Sequence, residues 1–424
     1  MRIAPGTPIR VSFDFGVGQR VKVGRLLLDG GRGVLEYAAE FISSPLRLNP
    51  RYRPSTSLHL AEEPREFDGL HGVLADSLPD SWGALLVRRR AEANRIPYSS
   101  LTALDKLAIV GSRGMGALVY EPEIGSEAVA AIDLDTFADA AANLEQGLAS
   151  DVLSEMERLG GSSGGARPKV LVAINDAGVM IPGDATLPAG FDAWLVKFRS
   201  TRHDFEDIGP LEAAYADMAR DAGLAISETR LIPAKGVGPG YFATKRFDRP
   251  GNNARLHVAS VAGIMNTAWH TPTMDYAELL RLVRGVTRQQ SAVEEMYGRM
   301  AFNVFAHNRD DHTKQHAFIM AADGVWSLAP PYDLTYSAGP GNEHYLAVKG
   351  RGGDDITREV LIEVGETNGI ARERCGSILD EVSTAVGQFR KYATHYGVGS
   401  STTREVSSVI EADLRRLGSV AARR

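Results

Sequence analysis

The most informative stretch of this sequence is His307-Asn308-Arg309-Asp310-Asp311-His312-Thr313-Lys314-Gln315. It places carboxylates, imidazoles, a lysine and amides close together, and Asp333 follows in Pro330-Pro331-Tyr332-Asp333. A phosphoryl-transfer site uses such parts: one loop carboxylate orients and deprotonates the attacking hydroxyl, while an amide and a second aspartate hold Mg²⁺. The stretch therefore favours phosphoryl-transfer chemistry, with Asp310 as the first carboxylate and Asp333 as the second.

The residues on either side of this acidic segment predict regular structure. Apolar side chains recur at helical spacing from Val293 to Phe305, which predicts a helix with one core-facing stripe. After the segment, two short apolar runs flank Asp323-Gly324, a dipeptide typical of a tight hairpin turn. A helix, an acidic loop, a hairpin and an aspartate thus follow one another in the order of a protein-kinase C-lobe.

Length and composition bound the class of protein. The 424 residues are too many for one ordinary core, so two or three domains are expected, and 44% hydrophobic and 24% charged residues fit a globular chain. The net charge of −6 argues against broad electrostatic binding to nucleic acid. One cysteine, no signal-peptide pattern and no apolar run of roughly 20 residues together predict a cytoplasmic protein.

Changes in sequence character divide the chain into three predicted domains. Residues 1–122 carry alternating apolar runs separated by glycine-rich turns, which is typical of a β-rich subdomain, and a helix is expected after Pro79. Residues 123–255 combine a glycine-rich loop with strand-like runs. Residues 256–424 are dominated by helical patterns.

A candidate phosphate loop is Gly160-Gly161-Ser162-Ser163-Gly164-Gly165-Ala166-Arg167-Pro168-Lys169. Glycines let backbone N–H groups approach phosphate oxygens, and the lysine adds positive charge. It is not a Walker A loop, because Pro168-Lys169 precedes a strand-like run where that loop has Gly-Lys-Ser/Thr opening a helix. Taken by itself, a flexible surface loop is the commoner interpretation of such a run.

Lys197 and Glu212 are candidate companions of that loop. Lys197 lies in the strand-like run 194–198, and Glu212 begins a run with helical spacing for which Gly223 is a plausible C-cap. A strand lysine followed by a helix glutamate is the arrangement with which protein kinases hold the α- and β-phosphates. The alternatives are a solvent-facing strand lysine and a solvated carboxylate in the first turn of a helix.

The segment Thr244-Lys245-Arg246-Phe247-Asp248-Arg249-Pro250 is a candidate connector between lobes, whose backbone would run along an adenine ring. Phe247 would supply an apolar contact there. The residue types alone favour a charged strand end that enters a turn at Pro250. For Asp310-Asp311-His312 the alternatives are a capped helix end with solvated charges and a divalent-metal hydrolase site, which would leave the glycine-rich loop and Lys197 without roles.

Together these residues resemble the HipA family of bacterial serine/threonine kinases, the toxin half of HipBA-type toxin–antitoxin systems. Five short matches, in the family's order and over nearly the whole chain, carry the resemblance: residues 67–83, 164–169, 246–249, 308–315 and Tyr332-Asp333. The resemblance implies an α+β, two-lobed protein-kinase-like fold with a β-rich N-terminal subdomain and a mostly helical C-lobe. It also implies ATP and Mg²⁺ as cofactors, a helix-turn-helix antitoxin as partner, and a protein substrate such as an aminoacyl-tRNA synthetase.

The resemblance assigns a role to each candidate residue. Asp310 is the expected catalytic base, Asp333 and Gln315 the metal ligands, and Glu212 the ion-pair partner of Lys197. The residues expected to contact ATP are Gly164, Gly165, Ala166, Arg167, Pro168, Lys169, Lys197, Lys245, Arg246, Phe247, His312, Lys314 and Tyr332. Asp311 is expected to be a bystander. Ser162, with Ser163 as second choice, matches the serine that the family autophosphorylates, and a phosphate there would compete with the ATP phosphates.

One departure from the family pattern concerns the metal site. The family usually has asparagine where this chain has Gln315, whose carbonyl oxygen lies one methylene further out, and Mg²⁺ demands strict octahedral geometry. The alternative function is therefore a catalytically weak HipA-like binding module that acts with a helix-turn-helix antitoxin as transcriptional co-repressor. DNA contact is expected only through the antitoxin.

Overall fold

The computed structural model describes residues 2–62, 65–124, 132–160, 165–183, 185–236 and 238–418. Its first part is built on a five-stranded antiparallel sheet in the order β4-β3-β2-β1-β5. Its strands are β1 (Ile9–Asp14), β2 (Arg20–Asp29), β3 (Arg32–Tyr37), β4 (His59–Leu60) and β5 (Leu118–Glu121). Apolar residues on one face, such as Ile9, Val11 and Phe13, are fully buried, as their alternation predicts.

Four helices accompany this first sheet. They are α1 (Ala39–Ile42), α2 (Gly72–Ala75), α3 (Ser81–Ala93) and α4 (Ala103–Val110). The expected helix after Pro79 is α3, and the Asp80 side chain caps it by accepting from the backbone N–H of Ser81. Helix α4 begins with a reciprocal capping box between Thr102 and Asp105.

The second part is a five-stranded antiparallel sheet in the order β7-β6-β8-β10-β9, flanked by helices. In chain order its elements are α5 (Leu134–Glu145), α6 (Leu153–Gly160), β6 (Lys169–Asn175), β7 (Met180–Pro182), β8 (Phe191–Lys197), α7 (Ile208–Asp221), β9 (Thr229–Ile232) and β10 (Tyr241–Lys245). One face of the sheet, with Val172 and Trp194, packs against α5 and α6 in a core of its own. Lys169 and Lys197 pair across β6 and β8 and point to the other face.

The third part is mostly helical. Its elements are β11 (His257–Ser260), α8 (Val261–Met265), β12 (Met274–Asp275), α9 (Tyr276–Thr287), α10 (Gln290–Phe305), β13 (Ala317–Met320), β14 (Trp326–Leu328), β15 (Leu346–Ala347), α11 (Arg358–Thr367), α12 (Arg372–Val386), α13 (Phe389–Tyr396) and α14 (Ser400–Arg416). The predicted apolar stripe is confirmed, because Val293 and Phe305 in α10 are fully buried. The predicted hairpin is β13–β14, and β11 joins it as a third strand.

The mixed α+β architecture predicted from the sequence is confirmed. The first and third parts share one hydrophobic core, in which the rings of Phe13 and His257 lie 4.6 Å apart. The domain boundaries at 122 and 255 stay predictions, because the continuous core does not by itself separate these parts. In the part of the chain that the structure describes, no helix is both long and apolar enough to cross a membrane.

Buried charges join the first part to the connector after β10. Asp248 is fully buried and binds Arg246 at 2.7 Å, Arg249 at 2.8 Å and the backbone N–H of Gly116 at 2.8 Å. Burial alone would raise the pKa of Asp248, but the two guanidinium charges outweigh it and hold this pKa well below its usual range. Arg249 also donates to the carbonyl oxygen of Gly114 at 3.1 Å, so one carboxylate organises the junction.

We expect Asp248→Asn to lower the free energy of unfolding by roughly 3–5 kcal/mol, because it leaves two buried guanidinium groups without a counter-charge. Urea unfolding followed by circular dichroism measures the effect. Glu36→Gln is the matched control, since Glu36 pairs with Arg25 on the surface and exposed pairs contribute little. Equal stability of both variants would contradict the structural role of Asp248.

Candidate active site

Lys197 and Glu212 form a buried ion pair between β8 and α7. The Lys197 side chain is 9% exposed and that of Glu212 is 3% exposed, and Nζ lies 2.8 Å from Oε1. The alternatives of a solvent-facing lysine and a solvated carboxylate are therefore wrong. Desolvation makes single buried charges unfavourable, so the pair holds both side chains in a fixed position.

Arg167 extends this pair into a cluster of charges. Its Nη1 donates to Glu212 Oε1 at 2.6 Å, and its Nε donates to Asp204 Oδ1 at 2.8 Å. Burial would lower the pKa of Arg167, but the charges of Glu212, Asp333 and Asp204 raise it above its ordinary value. Asp204 was not anticipated from the sequence, because it lies in a polar loop with no pattern of its own.

The glycine-rich segment enters the site from Gly165 onward; Ser162, Ser163 and Gly164 lie outside the described residues. Gly165 has φ +93°, and a Cβ there would lie 2.6 Å from Lys169 Nζ, so this position requires glycine. Burial lowers the pKa of Lys169 to about 8, with the charge of Lys197 acting in the same direction and Asp333 against it. Ala166 is exposed, and the carbonyl oxygen of buried Pro168 accepts from Phe198 N at 2.8 Å.

Asp333 lies beside this cationic cluster. Lys197 Nζ contacts its Oδ1, and Arg167 Nη1 lies 4.0 Å away. Burial alone would raise the pKa of Asp333, but Lys197, Arg167 and Lys169 outweigh it and hold this pKa well below its usual range. Asp333 also has φ +59°, an uncommon backbone conformation that is often found at functional sites.

Gln315 connects the two aspartates of the acidic segment and the later turn. Its Nε2 donates to Asp333 Oδ2 at 3.2 Å, and its side chain also hydrogen-bonds to Asp310. A carboxylate and an amide carbonyl are oxygen donors of the kind that Mg²⁺ prefers. Rotation of the amide would turn the Gln315 carbonyl oxygen towards Asp333, so this donor set fits the ion. Among the described residues, no three His, Cys, Asp or Glu side chains form a metal-binding group.

Asp310 has an environment opposite to that of Asp333. The Asp310 side chain is 49% exposed. The surrounding protein still desolvates it, and this desolvation, together with the charges of Asp333 and Asp311, raises its pKa to about 7. Arg167 and the hydrogen bond from Gln315 oppose this shift. Asp310 is thus a carboxylate that gains and loses a proton near neutral pH, as a general base requires.

Asp311 is not a bystander, and that expectation was wrong. Its side chain is fully buried and accepts hydrogen bonds from Tyr276 Oη at 2.8 Å, from His344 Nδ1 at 2.9 Å and from Tyr345 N at 2.9 Å. The sequence carried no signal for these partners, because they lie more than 30 residues away on either side.

The acidic segment is also joined directly to the turn that carries Asp333. Arg309 N donates to Ser337 O at 3.1 Å, and Ser337 N donates to His307 O at 3.0 Å. Tyr332 Oη donates to the carbonyl oxygen of Lys314 at 2.6 Å. These bonds fix Asp310, Gln315 and Asp333 as one unit.

His312 and Lys314 line the side of the site that faces the first part of the chain. His312 Nε2 lies 3.8 Å from Asp310 Oδ1. Burial lowers the pKa of His312. Lys314 Nζ lies 3.2 Å from Asp80 Oδ2 and 4.6 Å from the ring centroid of Trp269. Trp269 was not anticipated, because a lone tryptophan in a polar loop gives no pattern.

Two residues of α3 and its cap reach the phosphate-loop segment. The backbone N–H of Gly165 donates to the Asp80 carboxylate, and Trp82 Nε1 donates to Lys169 O at 3.1 Å. Trp82 N also donates to Gly165 O at 3.3 Å. Their only sequence signal was the match of residues 67–83 to the N-terminal subdomain, which gave them no role in the site.

The connector after β10 contributes one ring to the site. Phe247 stacks on Tyr332 with ring centroids 5.8 Å apart and an interplanar angle of 22°. The side chains of Lys245 and Arg246 do not join the charge cluster. Lys245 lies on the opposite face of the sheet and binds Asp192 at 2.6 Å, and Arg246 is committed to Asp248.

Two family models match this chain. The HipA N-terminal domain matches residues 17–121, and the HipA-like C-terminal domain matches residues 161–389, which is more than half of the chain. The chain belongs to the HipA family. A comparison with curated proteins gave no match.

Solved structures show the HipA fold in this chain. HipA of Shewanella oneidensis MR-1, from a complex of the toxin–antitoxin system proteins HipA and HipB with operator DNA, is similar over 96% of each chain. The TM-score is 0.67 at 16% sequence identity. The proinflammatory kinase CtkA of Helicobacter pylori covers 55% of this chain and 90% of its own, with a TM-score of 0.36 and 11% identity. The match to HipA confirms the predicted α+β fold, with a β-rich N-terminal part and a mostly helical C-terminal part.

We expect the Asp310 carboxyl of this HipA-family protein to titrate near pH 7 in the absence of nucleotide. Asp333→Asn should move that midpoint down towards the ordinary aspartate range, because it removes the neighbouring negative charge. Carboxyl ¹³C chemical shifts recorded against pH, assigned with Asp310→Asn, give the measurement. An Asp310 midpoint near 4 in the wild type would contradict the geometry.

Proposed function

We propose that this HipA-family protein is an ATP-dependent kinase that transfers the γ-phosphoryl group to a serine or threonine of a protein. The observation that carries the proposal is the buried Lys197–Glu212 pair beside Asp333, with the half-exposed Asp310 on the same rigid unit. Protein kinases combine these parts: a strand lysine, a helix glutamate, a catalytic-loop aspartate and a metal-binding aspartate.

The cationic cluster is the proposed phosphate-binding part. Lys197, Lys169 and Arg167 present three positive groups near one another, and two of them, Arg167 and Lys169, lie directly after the glycine-rich segment. In this structure Asp333 balances part of that charge. ATP phosphates would take over this role, which leaves the Asp333 carboxylate to the metal ion.

Asp333 and Gln315 are the proposed ligands of Mg²⁺, which when bound neutralises negative charge on the phosphates. Asp333 keeps its negative charge at every ordinary pH, because its pKa is held well below the usual range. Gln315 supplies a neutral carbonyl oxygen. Phe247 and Tyr332 form the apolar surface proposed to contact the adenine ring.

Asp310 is the proposed general base. The acceptor hydroxyl oxygen forms a bond to the γ-phosphorus, the bond to the bridging oxygen of ADP breaks, and the hydroxyl proton passes to the Asp310 carboxylate. A general base works best when its pKa is near the working pH, because it is then deprotonated in many molecules and still binds a proton well. His312 lies 3.8 Å from Asp310, and His312 and Lys314 are proposed to face the γ-phosphate.

The biological setting is proposed from the family. We infer that the protein acts as a toxin neutralised by a HipB-like helix-turn-helix antitoxin, and that it reaches DNA only through this partner. The net charge of −6 supports the second point. A cytoplasmic location stays a prediction from the composition, and an aminoacyl-tRNA synthetase as protein substrate stays an expectation from the resemblance.

We expect Asp310→Asn to lower phosphotransfer by about 10²–10⁴-fold, because it removes the base, and Asp333→Ala to abolish it, because it removes the charged metal ligand. Transfer from labelled ATP, to the protein itself and to dephosphorylated casein, measures both. Wild-type kcat/KM should fall as the pH drops below about 7, since Asp310 is then protonated.

Asp176→Asn is the control, since Asp176 lies exposed beyond β6, and it should behave as the wild type. Circular dichroism establishes that all variants are folded. Wild-type turnover in Asp310→Asn would overturn the proposal. A wild type that binds ATP without transferring phosphate would instead favour the co-repressor function, for which the unusual Gln315 is the supporting observation.

We expect incubation with Mg-ATP to add one phosphate to the glycine-rich segment at Ser162, with Ser163 as the second choice, and thereby to inactivate the enzyme. A phosphoserine brings about two negative charges that compete with ATP for the cationic cluster. Phosphosite mapping by mass spectrometry is the test, with Ser162→Ala and Asp310→Asn as controls. Mapping that finds neither serine modified would remove this regulation from the proposal.

A further inference from the structure

Asp311 lies at the centre of a buried polar cluster. Its Oδ2 accepts from Tyr276 Oη at 2.8 Å and from His344 Nδ1 at 2.9 Å, and its Oδ1 accepts from the backbone N–H groups of Tyr345 at 2.9 Å and Leu346 at 3.4 Å. The side chains of Asp311 and His344 are 0% and 2% exposed. A carboxylate with donors on both oxygens cannot turn without leaving several of them unsatisfied.

The cluster joins elements that are far apart in the chain. Asn303 of α10 donates to Tyr276 Oη at 2.9 Å, and Asn308 donates to Asn303 Oδ1 at 2.9 Å. Tyr276 is the first residue of α9, and Leu346 begins β15. Two helices, the acidic segment and the strand that follows the Asp333 turn therefore meet at Asp311.

Two groups at the site depend on the position of Asp311. Asp310 is the neighbour of Asp311 in the chain. When the Asp311 side chain is held in place, the backbone between them is held too, and with it the direction of the Asp310 side chain. Tyr345 is held by its own N–H, and its ring lies edge-on to His312 with centroids 5.5 Å apart. The same His312 ring lies 3.8 Å from Asp310 through its Nε2, so Tyr345 is one side chain away from the proposed base.

We propose that Asp311 is a positioning residue that aims the Asp310 carboxylate at the acceptor hydroxyl and holds Tyr345 as the facing wall of the acceptor site. The inference rests on the proposed kinase function. Among the described residues, Asp311 has side-chain hydrogen bonds to Tyr276, His344, Tyr345 and Leu346 and none to Lys197, Glu212 or Asp333, so its loss removes no direct contact with these proposed nucleotide-binding and metal-binding residues.

Because Asp311 does not contact these residues, a positioning role can be distinguished from a general stabilising role. Loss of a structural residue lowers stability and weakens nucleotide binding and turnover together. Loss of a positioning residue lowers the rate of phosphotransfer at saturating ATP and leaves nucleotide affinity unchanged.

The test compares His344→Leu with His344→Asn. Leucine removes the hydrogen bond to Asp311, whereas the Nδ2 of asparagine lies close to the position of the histidine Nδ1 and donates again. We expect His344→Leu to lower kcat for transfer to dephosphorylated casein by about 10- to 100-fold, since small misplacements of reacting groups have effects of this size. His344→Asn should restore most of that loss. The dissociation constant of a fluorescent ADP analogue should stay within about twofold in both variants.

A second readout needs no catalytic activity. Crystal structures should show the Asp310 carboxylate displaced in the His344→Leu protein and back at its wild-type position in the His344→Asn protein, because only asparagine restores the hydrogen bond to Asp311. Equal rates and equal positions of Asp310 in the two variants would overturn the inference. A wild type without any phosphotransfer would overturn the proposed function, and the positions of Asp310 would still decide on the positioning role of Asp311.

Discussion

The structure depends on the mutual neutralisation of charges buried around Lys197. Two lysines and an arginine lie close together on one side of the second sheet, and Glu212, Asp204 and Asp333 lie among them. Desolvation would disfavour each of these ions alone, so every one constrains the position of the others. The elements that supply them, β6, β8, α7 and the turn after β14, are therefore held in a single arrangement. The lysines and the arginine of this cluster attract negative groups, so the cluster also suits phosphate groups, which are negatively charged like the carboxylates.

The same buried charges shift the pKa values of Asp310 and Asp333 in opposite directions. Asp333 is surrounded by cations and stays ionised, whereas desolvation, together with the charges of Asp333 and Asp311, raises the pKa of Asp310 to about 7. Neighbouring carboxyl groups with opposite shifts are a common sign of an acid–base assignment, because only the raised one exchanges protons at neutral pH. Gln315 stands between them as a neutral group that hydrogen-bonds to both, and its hydrogen bond opposes the rise in the pKa of Asp310. As a proposed metal ligand it differs from asparagine by one methylene, which changes its reach and not the charge of the site.

The sequence was sufficient for those parts of the fold that local patterns specify. Helical spacing located α10, apolar runs located β1, β2 and β3 of the first sheet, and Asp323-Gly324 located the β13–β14 turn. Lys197, Glu212 and Asp333 were found because their order along the chain matches a known arrangement of catalytic parts. The partners of Asp311 and the contact between Asp80 and Lys314 could not be found in this way, since they join residues 33 to 234 positions apart. Lys245 was assigned to ATP without knowledge of the sheet register, and the pairing with Trp194 directs its side chain to the opposite face.

The first part of the chain is also a component of the site. Asp80 accepts from the backbone N–H of Gly165 and pairs with Lys314, so one carboxylate touches both the phosphate-loop segment and the catalytic segment. Trp82 adds two hydrogen bonds to the same segment, through its backbone and its indole. These contacts require α3 to sit in a fixed position. Trp82 and Leu86 of α3 lie in the core of the second part, and Leu74 and Ala75 of the preceding α2 lie in the core that the first and third parts share. The first part of the chain therefore holds Asp80 and Trp82 at the candidate active site by packing against both other parts.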